Sequence, residues 1–484
     1  MRATARSDSE EAIATTAFDV AAHWSRVPRY GFLSDFSEEE SEEESVRRLD
    51  DMLRLHLNAV QFYDWMPNHY ELVAPTAEYV DTLGRRLSAA VVRRKIELCR
   101  ERGMAALAYG ALYGAEKPFA DAHREWLLYD EEHRPLNLAG LYFLQDFSTS
   151  SGWRQWILQQ YDAAIAAFSF DGIHIDQYGF PKHALSRATG TWRSFETERE
   201  FPGFVEEASA RVLAQRPDGG CVFNCVNAWP LERMAEVNRD AATYIEVWEP
   251  HTGYRDLYEL VRRSRALRPD KATILAAYLR PFHPETARTP EALSAFRLTF
   301  AAIVASGGSQ LVAGEGRRLL TEAYYPRYGA LSDNEFAVVR RYFDFAVRNA
   351  GLLGGEGPDL AWTHIGPTND VITLRHRAPC VYGAGAQRDS IWTTLRRIGD
   401  RWVLQLVNLR GLQDDRWNAA RSAPEPVEDV EITVRGLAPI EDAVWDTPDD
   451  ETGTWREARG KNARGESHLC LPRLDTWALL SWRR

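Results

Sequence analysis

From residue 30 to about residue 350, short apolar runs alternate with longer stretches whose apolar positions recur every three or four residues. The short runs predict strands at residues 30–36, 58–65, 104–109, the run ending at Asp176, 221–227, the run carrying Glu246, 272–278 and 310–315. Helical patterns lie at residues 46–55 and 83–102, from Trp153 onward, between the later strands, and at 334–349. An extended loop region is expected after the third strand. Eight strands with intervening helices predict an α/β fold, a (β/α)8 TIM barrel whose reactive groups sit at the C-terminal strand ends. Beyond the turn-rich Gly351-Leu352-Leu353-Gly354-Gly355-Glu356-Gly357-Pro358 the pattern changes to short alternating segments, at 371–374, 402–407, 430–434 and 477–482. These predict a C-terminal antiparallel β-sandwich packed on the barrel. The expected organisation is a disordered tail over 1–27, a catalytic barrel over 28–353 and the sandwich over 354–484.

Two strands carry the chemistry. In Phe170-Asp171-Gly172-Ile173-His174-Ile175-Asp176, alternation puts Ile173 and Ile175 on one face and His174 and Asp176 on the other. In Thr243-Tyr244-Ile245-Glu246-Val247-Trp248, Ile245 and Val247 share one parity while Tyr244, Glu246 and Trp248 share the opposite one. Two carboxylates at the ends of separate strands suit glycoside chemistry, which needs one acid ionised and one protonated across the scissile bond. Asp176 is the candidate nucleophile, kept anionic by donors such as His174. Glu246, between aromatic neighbours, is the candidate acid/base, its proton retained by desolvation. Glu249 has the wrong parity, and Asp171 starts its strand at the stability end of the barrel.

Aromatic rings that stack on sugar C–H faces are frequent near the expected strand ends, Tyr109, Tyr178 and Trp229 among them. The candidate substrate-binding set is Asp35, Tyr63, Asp64, Trp65, Tyr113, His174, Asn224, Asn227, Trp248, Tyr278 and Glu315. The competing reading makes each a core or loop residue, and both carboxylates mere polar strand ends.

The 58 Lys and Arg against 70 Asp and Glu, a net charge of −12, argue against nucleic acid as a partner and suit a neutral substrate. No uncharged apolar run approaches the roughly 20 residues that span a bilayer, so no membrane partner is expected. The N-terminus turns acidic where an export peptide would be apolar, which predicts a cytoplasmic protein. Five scattered cysteines imply no disulfide framework, and Cys221 and Cys225 read as buried thiols rather than a metal site. The acidic run at residues 38–44 reads as a solvated face leading into the first helix, whose N-terminus favours negative charge.

Several segments together resemble glycoside hydrolase family 66, which contains dextranases and cycloisomaltooligosaccharide glucanotransferases. They are Pro28-Arg29-Tyr30-Gly31-Phe32, Val60-Gln61-Phe62-Tyr63-Asp64-Trp65, the Asp176 segment, Phe223-Asn224-Cys225-Val226-Asn227, Tyr244-Ile245-Glu246-Val247-Trp248, Ala305-Ser306-Gly307-Gly308 and Tyr324-Tyr325-Pro326. The resemblance implies that Asp176 is the nucleophile and Glu246 the acid/base of a retaining enzyme. It implies cleavage or transfer of α-1,6-linked glucose chains through a glucosyl-Asp intermediate, with no metal or organic cofactor. Against the family pattern, the sequence is expected to depart in three respects: an N-terminal immunoglobulin-like domain, an export signal and the carbohydrate-binding insertion of the cyclising enzymes are not evident in it. The expectation is therefore a hydrolase of dextran or isomaltooligosaccharides. A transglycosylase and a non-catalytic carbohydrate-binding protein are the alternatives.

Overall fold

The structure is a computed structural model and describes residues 2–6, 11–323, 327–354, 357–366, 369–377, 380–437, 440–463 and 465–483. The Tyr324-Tyr325-Pro326 segment, and Gly355 and Glu356 of the turn-rich boundary, lie outside the described residues.

The fold is mixed α/β around one curled sheet of eleven strands. These are β1 (Tyr30–Leu33), β2 (Ala59–Phe62), β3 (Ala105–Ala111), β4 (Gly172–Asp176), β5 (Gly220–Asn224), β6 (Ala242–Glu246), β7 (Thr273–Ala276), β8 (Ser309–Leu311), β9 (Ala313–Gly314), β10 (Arg318–Leu320) and β11 (Tyr328–Ala330). Their order across the sheet is β8-β7-β6-β5-β4-β3-β2-β1-β9-β10-β11. All neighbours from β8 to β9 run parallel, and β9, β10 and β11 are antiparallel. β8 pairs with β7 and β9 with β1, and only Val312 separates the two in the chain.

Each expected strand is present, but most end earlier than the apolar runs suggest. β1 stops before Ser34, β2 before Tyr63 and β5 before Cys225, because the chain there turns into the loops of the C-terminal face. Asp64 and Asn227 take φ angles of 45° and 52°, which no strand accommodates. The helices are α1 (Glu42–Arg54), α2 (Ala89–Glu101), α3 (Gly152–Phe168), α4 (Thr197–Gln215), α5 (Tyr254–Leu267), α6 (Pro290–Ala305) and α7 (Asp333–Arg348). Ser41 caps α1 by accepting from the Glu44 N–H, and Glu42, Glu43 and Glu44 fill its first turn, where the helix dipole favours them. α2 starts six residues later than its pattern because residues 86–88 pair with 78–80 as a hairpin. Between β5 and β6 only the single turn Leu231–Met234 is helical, shorter than the pattern predicts.

The parity of β4 and β6 is realised. Ile173, Ile175 and Ile245 pack outward with α3 and α4 residues such as Ile157, Phe204 and Val205, whereas Tyr30, Val222, Tyr244 and Ile274 form a separate cluster within the curl. The long loop region after β3 is not structureless. Gly114–Glu116, Asn137–Leu138 and Tyr142–Leu144 form one small antiparallel sheet, and Leu128–Tyr129, His183–Ser186 and Arg193–Glu196 form another. The N-terminal tail also departs from the disorder expected of it. Residues 2–6 pair with 11–15 as a hairpin, and Asp19 holds Arg29 in an ion pair at 2.9 Å.

After residue 371 come a four-stranded and a six-stranded sheet, antiparallel apart from one short parallel edge pair. Ile372, Leu404, Ile432, Leu469 and Trp482 belong to one buried cluster that both sheets share. The six-stranded sheet also leans on α6 and α7: Gln405 donates to the Ala305 carbonyl at 3.1 Å, and the Trp477 ring lies 4.4 Å from Phe345.

β4 and β5 approach so closely at Gly172 that a Cβ there would lie 1.8 Å from the Gly220 carbonyl oxygen. Gly172→Ala must push these strands apart, so a loss of about 1–3 kcal/mol in stability is expected, read as a lower denaturant midpoint. Unchanged stability would show that the pairing of these two strands is not tight.

Candidate active site

Asp176 ends β4 and Glu246 ends β6, and β5 lies between them with Asn224 at its own last position. All three sit on the inward parity. The Asn224 Nδ2 group donates to Asp176 Oδ1 at 2.7 Å and to Glu246 Oε2 at 3.1 Å, one hydrogen to each carboxylate. Two oxygens sharing one nitrogen at those distances lie under about 6 Å apart, so the nearest edges of the two carboxyl groups approach closely. The remaining oxygens are held by phenols: Tyr109 donates to Asp176 Oδ2 at 3.0 Å, and Tyr278 to Glu246 Oε1 at 2.8 Å. Burial and the neighbouring carboxylates hold both phenols well above their ordinary pKa, so they remain donors.

The protonation of the pair differs from expectation. Burial first, then the facing Glu246 charge, pushes Asp176 up to about 7, and the hydrogen bonds from Asn224 and Tyr109 only partly offset this. His174 is not among its donors. It is 1% exposed, bonds through Nδ1 to the Tyr30 hydroxyl at 3.0 Å, and packs between Tyr30 and Tyr244. Burial lowers it to about 3, so it is a neutral residue of the inner cluster rather than a substrate ligand.

The other sequence candidates divide. Tyr63 stands beside Tyr109, ring centroids 4.7 Å apart, and the charges of Asp64 and Asp176 reach it. Asp64 faces His69 at 3.4 Å, and the His69 ring stacks on Tyr142 at 4.2 Å. Trp65 and Tyr113 are turned away from the cleft. Trp65 is fully buried against Phe168 and Phe170, and Tyr113 donates to the Phe180 carbonyl at 2.7 Å. Asn227 works on the backbone, accepting from the Trp248 N–H and donating to the Glu249 carbonyl, both at 2.7 Å. Trp248 and Tyr278 line one pocket together.

Asp35 and Glu315 belong to a separate ion cluster. Lys95 reaches Glu315 at 3.0 Å and Glu40 at 2.9 Å, Arg48 reaches Asp35 at 2.8 Å, and the Asp35 N–H donates to Glu315 at 3.0 Å. Both carboxylates are committed to cations on α1 and α2, which removes them from the expected hydroxyl-binding set. Asp171 accepts from the Ala106 N–H at 2.9 Å at the start of β4, a structural role. His69, Glu116 and Tyr142 escaped the sequence analysis because they sit in segments without periodicity. Glu116 takes the His69 N–H at 3.0 Å, and no spacing in the chain signals that contact.

A carboxylate pair on alternate strands, bridged by one amide and backed by phenols, defines a site of the glycosidase class. The chain belongs to glycosyl hydrolase family 66, whose model matches residues 2–480. It is 28% identical over 284 residues to a cycloisomaltooligosaccharide glucanotransferase of Niallia circulans, covering 54% of this chain and 29% of that protein. A second such enzyme from the same organism is 25% identical over 283 residues, with the same coverage. The matched stretch thus spans less than a third of the curated relatives' length. Among solved structures, the Paenibacillus cycloisomaltooligosaccharide glucanotransferase complexed with cycloisomaltoheptaose superposes with a TM-score of 0.86 at 18% identity, covering 97% of this chain and 87% of that one. The Geobacillus thermoleovorans α-amylase complexed with acarbose gives 0.58 at 11% identity, covering 96% and 100%. These two likenesses concern the fold.

The raised Asp176 pKa sets a sign for stability. The unfolded chain releases this proton near pH 4 and the folded one near 7, so folded protein binds more protons in between and its stability falls as pH rises through that window. Asp176→Asn removes the penalty. It should stabilise the protein at pH 8 by a few kcal/mol at most, with the gain gone at pH 4, as measured by paired thermal melts. An equal effect at both pH values would mean that the carboxyl is not held neutral.

Proposed function

We propose that this protein is a retaining enzyme acting on α-1,6-glucosidic linkages of dextran or isomaltooligosaccharides by double displacement. In the first step an Asp176 oxygen bonds the anomeric carbon as the bond to the leaving oxygen breaks, and Glu246 gives that oxygen its proton. In the second, a water or sugar hydroxyl loses its proton to Glu246 while its oxygen displaces Asp176 from the same carbon. The observation that carries this reading is the Asn224 amide shared by both carboxylates, which draws one oxygen of each toward a common nitrogen and so supports the close pairing that double displacement uses. The linkage rests on the family and on the named relatives.

The proposal includes closure of the curled sheet as a (β/α)8 barrel, supported by β8 and β9 joining its two edges across Val312. It also includes the division into a catalytic part to residue 353 and a C-terminal β-sandwich. Hydrolysis is the leading outcome. Transfer to a second sugar is the other, favoured by the glucanotransferase names of the relatives.

Incubation with a panel of α-linked glucosides and dextran, with reducing ends and the first-formed anomer followed by NMR, tests this reading. Release of α-anomer from α-1,6 substrates is expected, and initial β-anomer or no release at any chain length would overturn it. Glu246→Gln should lower kcat by about 10²–10⁴ on natural substrates. Asp176→Ala should abolish turnover, and undiminished turnover would show that Asp176 is not the nucleophile.

The working form of the pair holds one proton, shared between the two acids and carried on Glu246 when Asp176 attacks. With Asp176 at about 7, that proton is lost from the free protein as pH rises further. kcat/KM should therefore fall about tenfold per pH unit above that point, read from a pH–rate profile.

A further inference from the structure

Beyond Glu246, the loops after β6 and β7 enclose a pocket of about 790 Å³, lined among others by Trp248, His251, Tyr278, Arg280, Glu322 and Arg416. Tyr278 joins it to the reacting pair, since its phenol donates to Glu246 while its side chain lines the pocket. Trp248 is 39% exposed, an unusual state for a large apolar side chain, with its ring centroid 6.0 Å from Tyr278. Its exposure is fixed by construction, because Asn227 clamps the backbone on both sides of it. Two aromatic rings at the rim of a polar pocket offer a sugar face the contact it prefers.

Charges in this wall pair among themselves. Arg327 reaches Glu322 at 3.4 Å and Glu285 at 3.7 Å, and His283 lies 4.0 Å from Glu322. Such a lining presents donors and acceptors with its charge largely neutralised, which suits a neutral polyhydroxylated ligand.

The far wall comes from elsewhere in the chain. Residues 416–418, in the connection from the six-stranded to the four-stranded C-terminal sheet, are tied to both loops. Trp417 donates from its ring to the His251 carbonyl at 2.8 Å and from its backbone to Thr252 at 3.0 Å, and Asn418 accepts from the Arg280 N–H at 2.7 Å. Trp417 is buried by these contacts and lines the pocket together with Arg416 and Asn418.

We propose that this pocket holds the neutral α-glucan unit on the leaving-group side of the scissile bond, which is also the acceptor in transfer, and that residues 416–418 set the preference for it. The inference rests on Glu246 as the acid/base of the proposed function. A group that protonates the leaving oxygen must face the leaving sugar, and the pocket adjoins Glu246 through Tyr278, while Tyr109 and Tyr63 back the Asp176 side. In the second step the acceptor hydroxyl enters from this same side. Its proton goes to Glu246 as its oxygen bonds the anomeric carbon and the bond from that carbon to Asp176 breaks.

The test uses a nitrophenyl α-isomaltoside donor with isomaltotriose as acceptor, comparing the full-length protein with Trp248→Ala and Arg416→Ala. The ratio of transfer product to released nitrophenol should fall about tenfold in both variants, with a raised KM for the acceptor. An unchanged ratio in both overturns the proposal. Isomaltotriose binding to Asp176→Asn, with and without Trp248→Ala, is then measured by calorimetry and needs no turnover. Affinity about tenfold weaker in the double variant supports the pocket, and equal affinity overturns it. If the unaltered protein releases no nitrophenol, the catalytic reading fails on its own, and the calorimetry still decides the pocket.

Discussion

One amide between two carboxylates is the constraint on which the site depends. Buried acids this close repel when both are ionised, and the Asn224 Nδ2 group offsets that by giving each a hydrogen bond. The arrangement needs three adjacent strands in one register. Ile175 stands opposite Phe223, and Asn224 opposite Tyr244, so the last residues of β4, β5 and β6 share the inward parity. A slip of one residue on any of the three would turn its polar end toward the helices. The small residues at the other end of these strands, Gly172 against Gly220, bring β4 and β5 together where side chains would hold them apart.

The same dependence on register explains which parts of the site were legible in the sequence. Alternation within a strand is local, so the inward parity of Asp176 and Glu246 and the outward parity of Ile173 and Ile245 could be read directly. The strand order followed from the repeated βα pattern. Asn224 was visible as a polar strand end, but its bridging role depends on which strands flank β5. Asp35 and Glu315 looked equivalent to it. Arg48 lies 13 residues after Asp35 on the next helix, and Lys95 is 220 residues from Glu315, so no strand alternation marked either acid as already paired. His174 shares Asp176's parity but lies one layer deeper, where its partner is Tyr30 from a strand distant in sequence. Strand ends were overestimated because Tyr63, Trp65, Cys225 and Val226 continue the apolar composition after the backbone has left the sheet.

Composition places a change of pattern near residue 354, yet the core continues across it. Trp392, Val407, Trp477 and Leu479 belong to the same buried cluster as α6 and α7, and the Ala305 carbonyl at the end of α6 accepts from both Gln405 and Thr394. Asp449 takes the Tyr342 hydroxyl at 2.6 Å. The change of period marks a change of topology rather than an energetic gap. The C-terminal sheets therefore stabilise the helices that support β7 and β8, and the chain after them is positioned to reach the loops of the C-terminal face.

The two acids are built into unlike surroundings, and that asymmetry bears on the chemistry. Asp176 is backed by Tyr109 and Tyr63, and desolvation there disfavours its charge in the free protein. Glu246 borders the open pocket through Tyr278. In the proposed mechanism, a sugar carbon gaining positive charge beside Asp176 would reverse the balance, because the same low dielectric that penalises a lone carboxylate strengthens its attraction to a cation. The stabilisation is thus greater in the transition state than in the ground state, which is the condition for catalysis rather than mere binding. A nucleophile held in water would already have its charge satisfied and would gain less from the reacting carbon. Burial of Asp176 is therefore a cost to the folded protein from which the reaction benefits.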